Sequence, residues 1–359
     1  MKFVFRVDSS TQIGTGHVMR CITLANHLKS KGHQCIFISR AHDGHISSYV
    51  LDNGHKLYLN NNFECSNAGK NANEWNDHAH WLGVDWSIDA IEFIEIIKIE
   101  KPDWLIVDHY AIDSNWEDMV RPFIKKIFVI DDLQDRSHNC DILLDQTFGR
   151  KDIAYKNKVP SHCRILCGSK YSLLRKEFQK LRDESLLKRE SPKLGNILVN
   201  LGGIDKDNYT SLILKNLKSA NLPSSCSITI VMGENAPWIS CIKKIASKMP
   251  WKTDLKIGVN SMAEIMTRAD LAIGAAGSST WERCCLGLPT IQLAIAKNQK
   301  FISDSLHKSG IIKPLDNVES LPNLINNAQT WMLDISKRCR LVTDGDGVNR
   351  VIKNMEISI

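Results

Sequence analysis

The 359-residue sequence predicts an α/β protein made of two domains, each with a parallel sheet. Three observations carry this expectation. Short β-prone runs alternate with helical stretches along the whole chain, the pattern of parallel sheets covered by helices on both faces. The alternation restarts after Ser191-Pro192-Lys193, and this length with 43% hydrophobic content suffices for two cores. Glycine turns follow the first strand-like run of each half and recur just before Glu282, at the strand ends where open α/β sheets bind ligands.

Phe3, Val4, Phe5 and Val7 form a buried-strand pattern that reaches the acid Asp8. The loop that follows contains Gly14 and Gly16, which lack the Cβ that would oppose a sharp turn or a close ligand. From His17 to Ser30, Val18, Cys21, Ile22, Ala25 and Leu28 fall at helical spacing, and Lys29, Lys31 and Gly32 mark the end. A strand over Gln34–Ser39 completes a βαβ unit. Further strands are expected at Lys56–Leu59, Trp104–Val107, Ile127–Ile130 and Ile142–Leu144, with helices at Asp89–Ile99 and Asn115–Arg121. Asn60–Asn76 reads as a long asparagine-rich loop, of the kind used as a lid or substrate wall. A charged helix, Leu174–Arg189, leads to the linker.

The second half repeats the scheme. Strands are expected at Asn196–Asn200, Ser227–Met232, Leu255–Ile257 and Leu271–Ile273, and helices at Tyr209–Leu217, Trp238–Lys248, Met262–Thr267 and Thr280–Leu286. The domain expectation is 1–180 and 190–340, with 341–359 forming a C-terminal helix that packs back on the first domain.

Composition narrows the functional classes. A net charge of +6 is modest and scattered, without the Lys/Arg clusters and interleaved aromatics that track a nucleic-acid backbone, and it favours anionic small molecules. Met1–Phe5 is too short, and too soon interrupted by Arg6 and Asp8, for a signal peptide, and no apolar stretch would span a bilayer, so a cytoplasmic location is expected. The 11 cysteines are odd in number and form no CxxC, which predicts reduced core residues rather than disulfides or a zinc site. Asp344–Gly347 lacks the later glutamate of a calcium loop. No metal and no cofactor are expected.

His17 stands at the lip of the first glycine turn, where a helix N-terminus offers unpaired N–H groups to a diphosphate or oxyanion. A surface or capping histidine is the alternative there. Asp108-His109-Tyr110 ends the strand over Trp104–Val107, at the same carboxyl edge. Asp108 can orient an imidazole or simply cap a turn, and Tyr110 can stack on a sugar. Asp131-Asp132 and Asp145-Gln146 end the next strands in structural or hydrogen-bonding roles. In the second half, GAAGSSTWE over Gly274–Glu282 is a second phosphate-binding loop, and Glu282 either holds ribose hydroxyls or complements the helix dipole. Two such loops, one per sheet, predict a nucleotide-linked substrate in an inter-domain cleft.

The motifs RVDSSTQIGTGHVMRC, VDHY, CDILLDQ, RILCGSKYSLLR, NLGGID, VNSMAEIM and GAAGSSTWERCCLGLP, in this order up to about Pro289, resemble those of the UDP-sugar hydrolases of pseudaminic acid biosynthesis. The resemblance implies a GT-B fold related to the MurG-type glycosyltransferases, with UDP held mainly by the second domain. It implies removal of UDP from UDP-2,4-diacetamido-2,4,6-trideoxy-β-L-altropyranose, water replacing UDP at the anomeric carbon with inversion and no metal. It assigns the catalytic histidine to His17 and the sugar-side tyrosine to Tyr110, with Asp8, Gly14, Gly16, Arg20, Asp108 and His109 around them. UDP falls to Gly202, Gly203, Val259, Met262, Ala276, Gly277, Ser278, Ser279 and Glu282.

His109 is the competing base, although successive side chains of an extended segment diverge, so His109 and Tyr110 cannot both face the sugar. The nearest alternative function is a glycosyltransferase on the same fold, against which stands the lack of an amphipathic membrane-binding helix in the first half. A sugar-nucleotide-binding protein without chemistry is the other, and His17 at the substrate loop argues against it. A monomer without a fused acetyltransferase-like domain is expected.

Overall fold

The computed structural model describes residues 1–61 and 76–357, in two units. The first unit spans residues 1–173 together with the C-terminal segment from Val348. Its strands are β1 (Lys2–Val7), β2 (Gln34–Arg40), β3 (Lys56–Asn60), β4 (Trp104–Asp108), β5 (Lys126–Ile130), β6 (Ile142–Asp145) and β7 (Arg164–Cys167). All pair in parallel, in the order β3-β2-β1-β4-β5-β6-β7. Alternate residues of β1 point to opposite faces and both faces are covered. Phe3, Phe5 and Val7 pack with Cys21, Leu24 and Leu28 of the helix Gly16–Ser30 and with Val351, Ile352 and Met355 of the helix Gly347–Ile357. Val4 packs on the other side with Phe93, Ile97 and Trp116.

The order of strands reverses between β1 and β4, where Val7 pairs with Asp108. Connections leave these two strands in opposite directions, which opens a crevice at their carboxyl ends. Both the Gly14 loop and Asp108 lie there.

The second unit, residues 174–347, carries β8 (Asn196–Asn200), β9 (Ser227–Met232), β10 (Lys252–Ile257), β11 (Leu271–Ala275), β12 (Thr290–Leu293) and β13 (Lys313–Pro314). The sheet is again parallel, ordered β10-β9-β8-β11-β12-β13, and it reverses between β8 and β11, where Asn200 pairs with Gly274. Its core joins Ile197, Val199, Ile230 and Ile273 to Ile213 and Leu217 on one helix and Met332 and Ile335 on another.

Several elements differ from the sequence expectation. The helix Lys176–Lys188, with its start placed inside a first domain ending at 180, belongs to the second unit. Ser185 Oγ donates to the Leu286 carbonyl, and the buried Arg189 after the helix donates to the carbonyls of Met266 and Ala269. The edge strand β10 begins at Lys252, three residues earlier than expected, because a polar Lys-Thr-Asp start carries no apolar signal. Strands β7, β12 and β13 and the helices Lys297–Lys308, Leu321–Asn326 and Ala328–Cys339 were not read from the sequence at all. Most of the Asn60–Asn76 loop falls on 62–75, outside the described residues. No helix among the described residues is long and apolar enough to cross a membrane.

Candidate functional site

In the first unit the site starts from a compact turn after β1. Ser10 Oγ accepts the N–H groups of Gln12 and Ile13, and Gly14 N–H donates to the Ser10 carbonyl at 2.9 Å. Gly14 sits at φ +81°, a left-handed conformation that costs glycine nothing. The helix Gly16–Ser30 then begins without a side-chain cap and without an acid in its first turn. Its leading N–H groups therefore meet no anion from their own chain segment.

His17 and Arg20, three residues apart on one face of this helix, both reach Asp108 at the end of β4. His17 Nδ1 lies 2.6 Å from Asp108 Oδ1. Arg20 donates from Nε to Asp108 Oδ2 at 2.6 Å and from Nη2 to Oδ1 at 2.7 Å, and its Nη1 continues to Asp132. Asp108 is fully buried. Burial alone would raise its pKa, but the Arg20 guanidinium and His17 outweigh that and hold the carboxyl well below the usual range. A carboxylate only accepts hydrogen bonds, so His17 turns a protonated Nδ1 toward Asp108 and leaves Nε2 as the nitrogen directed away from the acid.

Aromatic rings wall this imidazole. Tyr110 meets it edge-on at 4.5 Å between centroids, Trp81 lies against Tyr110 at 5.8 Å and 25°, and His78 packs edge-on to both Trp81 and Tyr110. Burial, then the nearby Asp132, push the Tyr110 hydroxyl far above its usual pKa, so it stays a phenol. Trp81 and His78 were not singled out as contributors from sequence, whereas Asp132 was expected in a structural or substrate hydrogen-bonding role. A tryptophan and two histidines inside the polar run Asn76–Leu82 were the available signal.

Asp8 and His109 share this sheet edge but are occupied by protein groups. Asp8 is fully buried and accepts Arg6 at 2.6 and 2.9 Å and the Arg40 backbone N–H at 2.8 Å. His109 Nε2 faces the same carboxylate at 3.1 Å, and its Nδ1 accepts the Ala111 N–H. Burial lowers the His109 pKa, so the ring stays neutral. Arg6 also pairs with Asp89, which holds Arg40 and the Trp116 indole N–H. Arg20, expected on the substrate, is likewise taken up by two carboxylates.

In the second unit two loops lie at the β8/β11 reversal. Gly202 has φ +96° and open space where a Cβ would stand. Gly203 accepts the Gly233 N–H, and a Cβ on Gly233 would lie 2.5 Å from that oxygen. The helix Tyr209–Leu217 beyond them is filled at its start by Asp205, whose two oxygens each accept a backbone N–H, from Tyr209 and Thr210, at 2.9 Å. The loop Ala276-Gly277-Ser278-Ser279 after β11 differs. The helix Ser279–Cys285 has no side-chain cap, and a Cβ on Gly277 would meet nothing within 4 Å.

Glu282 in that helix is one-fifth exposed, and burial raises its pKa against the opposing pull of Arg175. Arg175 Nη2 lies 3.3 Å from Glu282 Oε1 and Nη1 lies 3.5 Å from the Asn260 carbonyl. Arg175, which sequence reasoning missed, thus links Glu282 to the segment holding the half-buried Val259 and the buried Met262. Among the described residues, no group of three or more His, Cys, Asp or Glu is placed to hold a metal ion.

No family model matches the chain. An uncharacterized protein of Methanocaldococcus jannaschii is 27% identical over 82% of this chain, which spans only 55% of that relative's length. The UDP-2,4-diacetamido-2,4,6-trideoxy-β-L-altropyranose hydrolase of Campylobacter jejuni is 28% identical over 86% of this chain and 97% of its own. The spore coat polysaccharide biosynthesis protein SpsG of Bacillus subtilis is 26% identical over 96% and 94%. Among solved structures, Acinetobacter baumannii MurG superposes with a TM-score of 0.65 at 14% identity over 99% of both chains. A glycosyltransferase of kitacinnamycin gives 0.64 at 12% identity, over 100% of this chain and 99% of its own. The fold is GT-B, with two Rossmann-like parallel sheets, and the sequence resemblance to the UDP-sugar hydrolases is met by a relative of that name.

Proposed function

We propose that this chain hydrolyses a UDP-linked 2,4-diacetamido-2,4,6-trideoxy sugar, water displacing UDP at the anomeric carbon with inversion. The observation that carries the reading is the His17–Asp108 pair at the β1/β4 reversal, which gives one imidazole a fixed tautomer and a lone pair on Nε2. His17 Nε2 takes a proton from water as the water oxygen bonds to the anomeric carbon. The bond from that carbon to the diphosphate oxygen breaks, its electron pair leaves with UDP, and His17 passes the proton to solvent. General base catalysis of this kind contributes about 100- to 10,000-fold.

The remaining groups fit the same substrate. Tyr110 and Trp81 offer ring surface to the C–H faces and methyl groups of a deoxy, acetylated sugar. Gly277, Ser278 and Ser279 offer backbone and hydroxyl donors to the diphosphate, and Glu282 offers a carboxylate to ribose hydroxyls. The named C. jejuni relative supports the substrate class.

Mass spectrometry of products formed in ¹⁸O water from UDP-2,4-diacetamido-2,4,6-trideoxy-β-L-altropyranose, without added acceptor, tests the proposal. Labelled free sugar with unlabelled UDP is the expected result. Label on UDP means attack at phosphorus and overturns it. The glycosyltransferases sharing this fold favour a second reading, transfer to an acceptor, and release of UDP only when an acceptor is added would establish that instead.

A further inference from the structure

Among the described residues of the second unit, two arginines are buried without a carboxylate partner. Arg189 is accounted for by the fold, since its guanidinium caps the carbonyls of Met266, Thr267 and Ala269 at the end of the helix Met262–Arg268, the negative end of that helix dipole. Arg283 has no such compensation. It is 1% exposed and lies in the helix Ser279–Cys285, yet its side chain folds back toward the start of that helix, the positive end.

All of its hydrogen-bond partners are neutral. Nη2 donates to the Ala275 carbonyl at 2.8 Å and to Thr280 Oγ1 and Gln292 Oε1 at 3.1 Å, Nη1 donates to Ser279 Oγ at 3.0 Å, and Nε has no partner. The adjacent carboxylate, Glu282, is engaged by Arg175. Burial lowers the Arg283 pKa to about 10, which leaves it charged near neutrality. The backbone makes room for it: a Cβ on Gly274 would stand 2.6 Å from Nη1.

A buried, unpaired cation is costly, and here it sits directly beneath the loop Gly277–Ser279. Ser279 Oγ accepts from the guanidinium, so its own O–H remains to donate to a ligand. We propose that Arg283 is a positioning residue for the ligand's diphosphate, fixing Ser279 Oγ by a hydrogen bond and supplying beside the loop a positive charge that a diphosphate neutralises. The inference rests on the UDP-binding reading above. It identifies the diphosphate, rather than uracil or ribose, as the group whose affinity Arg283 sets.

Calorimetric titration of the full chain with UDP and with uridine tests it. Wild type should prefer UDP strongly. Arg283→Gln, which removes the charge and keeps an amide N–H donor, should reduce that preference by at least about tenfold, as loss of a charge-assisted contact does, with uridine affinity within about threefold. Arg283→Lys, which keeps the charge, should retain the preference within about fivefold. Equal loss of UDP and uridine in Arg283→Gln, or no loss of UDP, overturns the proposal. Should the Gln variant not fold, the Lys variant decides, and a preference lost there overturns it as well. A wild type that binds UDP no better than uridine overturns the role of Arg283 alone. One that binds neither overturns the nucleotide reading together with it.

Discussion

His17 Nδ1 and Asp108 Oδ1 stand 2.6 Å apart, and Arg20 grips both oxygens of the same carboxylate, so one buried acid fixes the imidazole while its own charge is fixed from behind. Asp108→Asn removes that logic without changing size. The amide can donate to Nδ1, which then no longer carries the proton, and the lone pair on Nε2 is lost to the opposite tautomer. Turnover should fall about 100- to 10,000-fold, the range for losing a general base, while UDP affinity stays within about twofold. Steady-state kinetics paired with UDP titration checks this, and a loss of turnover below about threefold would refute the dyad.

The two histidines at this edge should separate cleanly. His17→Asn should abolish most turnover, because it removes the ring whose Nε2 is proposed to take the proton from water, and it also disturbs the buried bond to Asp108, so turnover and not stability distinguishes it. His109→Asn should leave turnover largely intact but lower stability by about 1–3 kcal/mol, the cost of disturbing a buried hydrogen bond beside Asp8. Melting curves and initial rates on both variants decide it. The reverse pattern would make His109 the base.

Acid should unfold the first unit before the second. Asp8, Asp89, Asp108 and Asp141 all have pKa values held below the usual range, because neighbouring arginines outweigh their burial. Asp131, lowered to about 2 by Arg136 and His138 against its burial, joins them. The unfolded carboxyls titrate near pH 3.9, so below about pH 4 the unfolded chain binds more protons at these positions than the folded one and stability drops as pH falls. Asp145, raised to about 6 by burial and Asp132, and Asp113, raised by burial, run the other way but are outnumbered. In the second unit Asp205 and Glu282 are raised, mainly by burial, so their protonation favours the folded state. Site-resolved hydrogen exchange from pH 4 to pH 2, corrected for intrinsic rates, should show earlier loss of protection in β1 and β4 than in β8 and β11. Equal loss in both units would contradict this.

Much of the fold was legible because its central strands are continuous apolar runs and its long helices are periodic. β1, β8 and β11 and the helix after Gly14 are read from residues that neighbour one another in the chain. The edge strands β7 and β13 escaped notice, since three half-buried residues around the buried Leu166, and two residues, carry little pattern. The position of His17 was legible from its glycine turn. Its partnership with Asp108 was not fixed by spacing, because it spans 91 residues and depends on β1 and β4 being neighbours in the sheet. The occupation of Asp8 by Arg6 and of Glu282 by Arg175, and the unpaired charge of Arg283, become visible only once burial is known.

Two glycines test the loops while keeping backbone and ligand effects apart. Neither Gly14 nor Gly277 has any atom within 4 Å of the point where a Cβ would stand, so an added methyl meets no steric clash at either. Gly14, however, sits at φ +81°, where an L-residue costs about 1–2 kcal/mol, and Gly277 is outside that region. Gly14→Ala should therefore lower the melting temperature by roughly 2–8 °C for a unit of this size. Gly277→Ala should raise it by about 1–4 °C, since ordinary backbone geometry accepts alanine without strain and the unfolded chain loses freedom. Its methyl nonetheless projects into the open side of the loop where the diphosphate is proposed to sit, so UDP affinity should fall at least about tenfold, or 1.4 kcal/mol. Uridine affinity should change far less. Thermal melts with and without UDP measure both effects in one series. If Gly277→Ala binds UDP as tightly as the wild type, the diphosphate lies elsewhere on the second unit, and the loop after β11 is only a helix start.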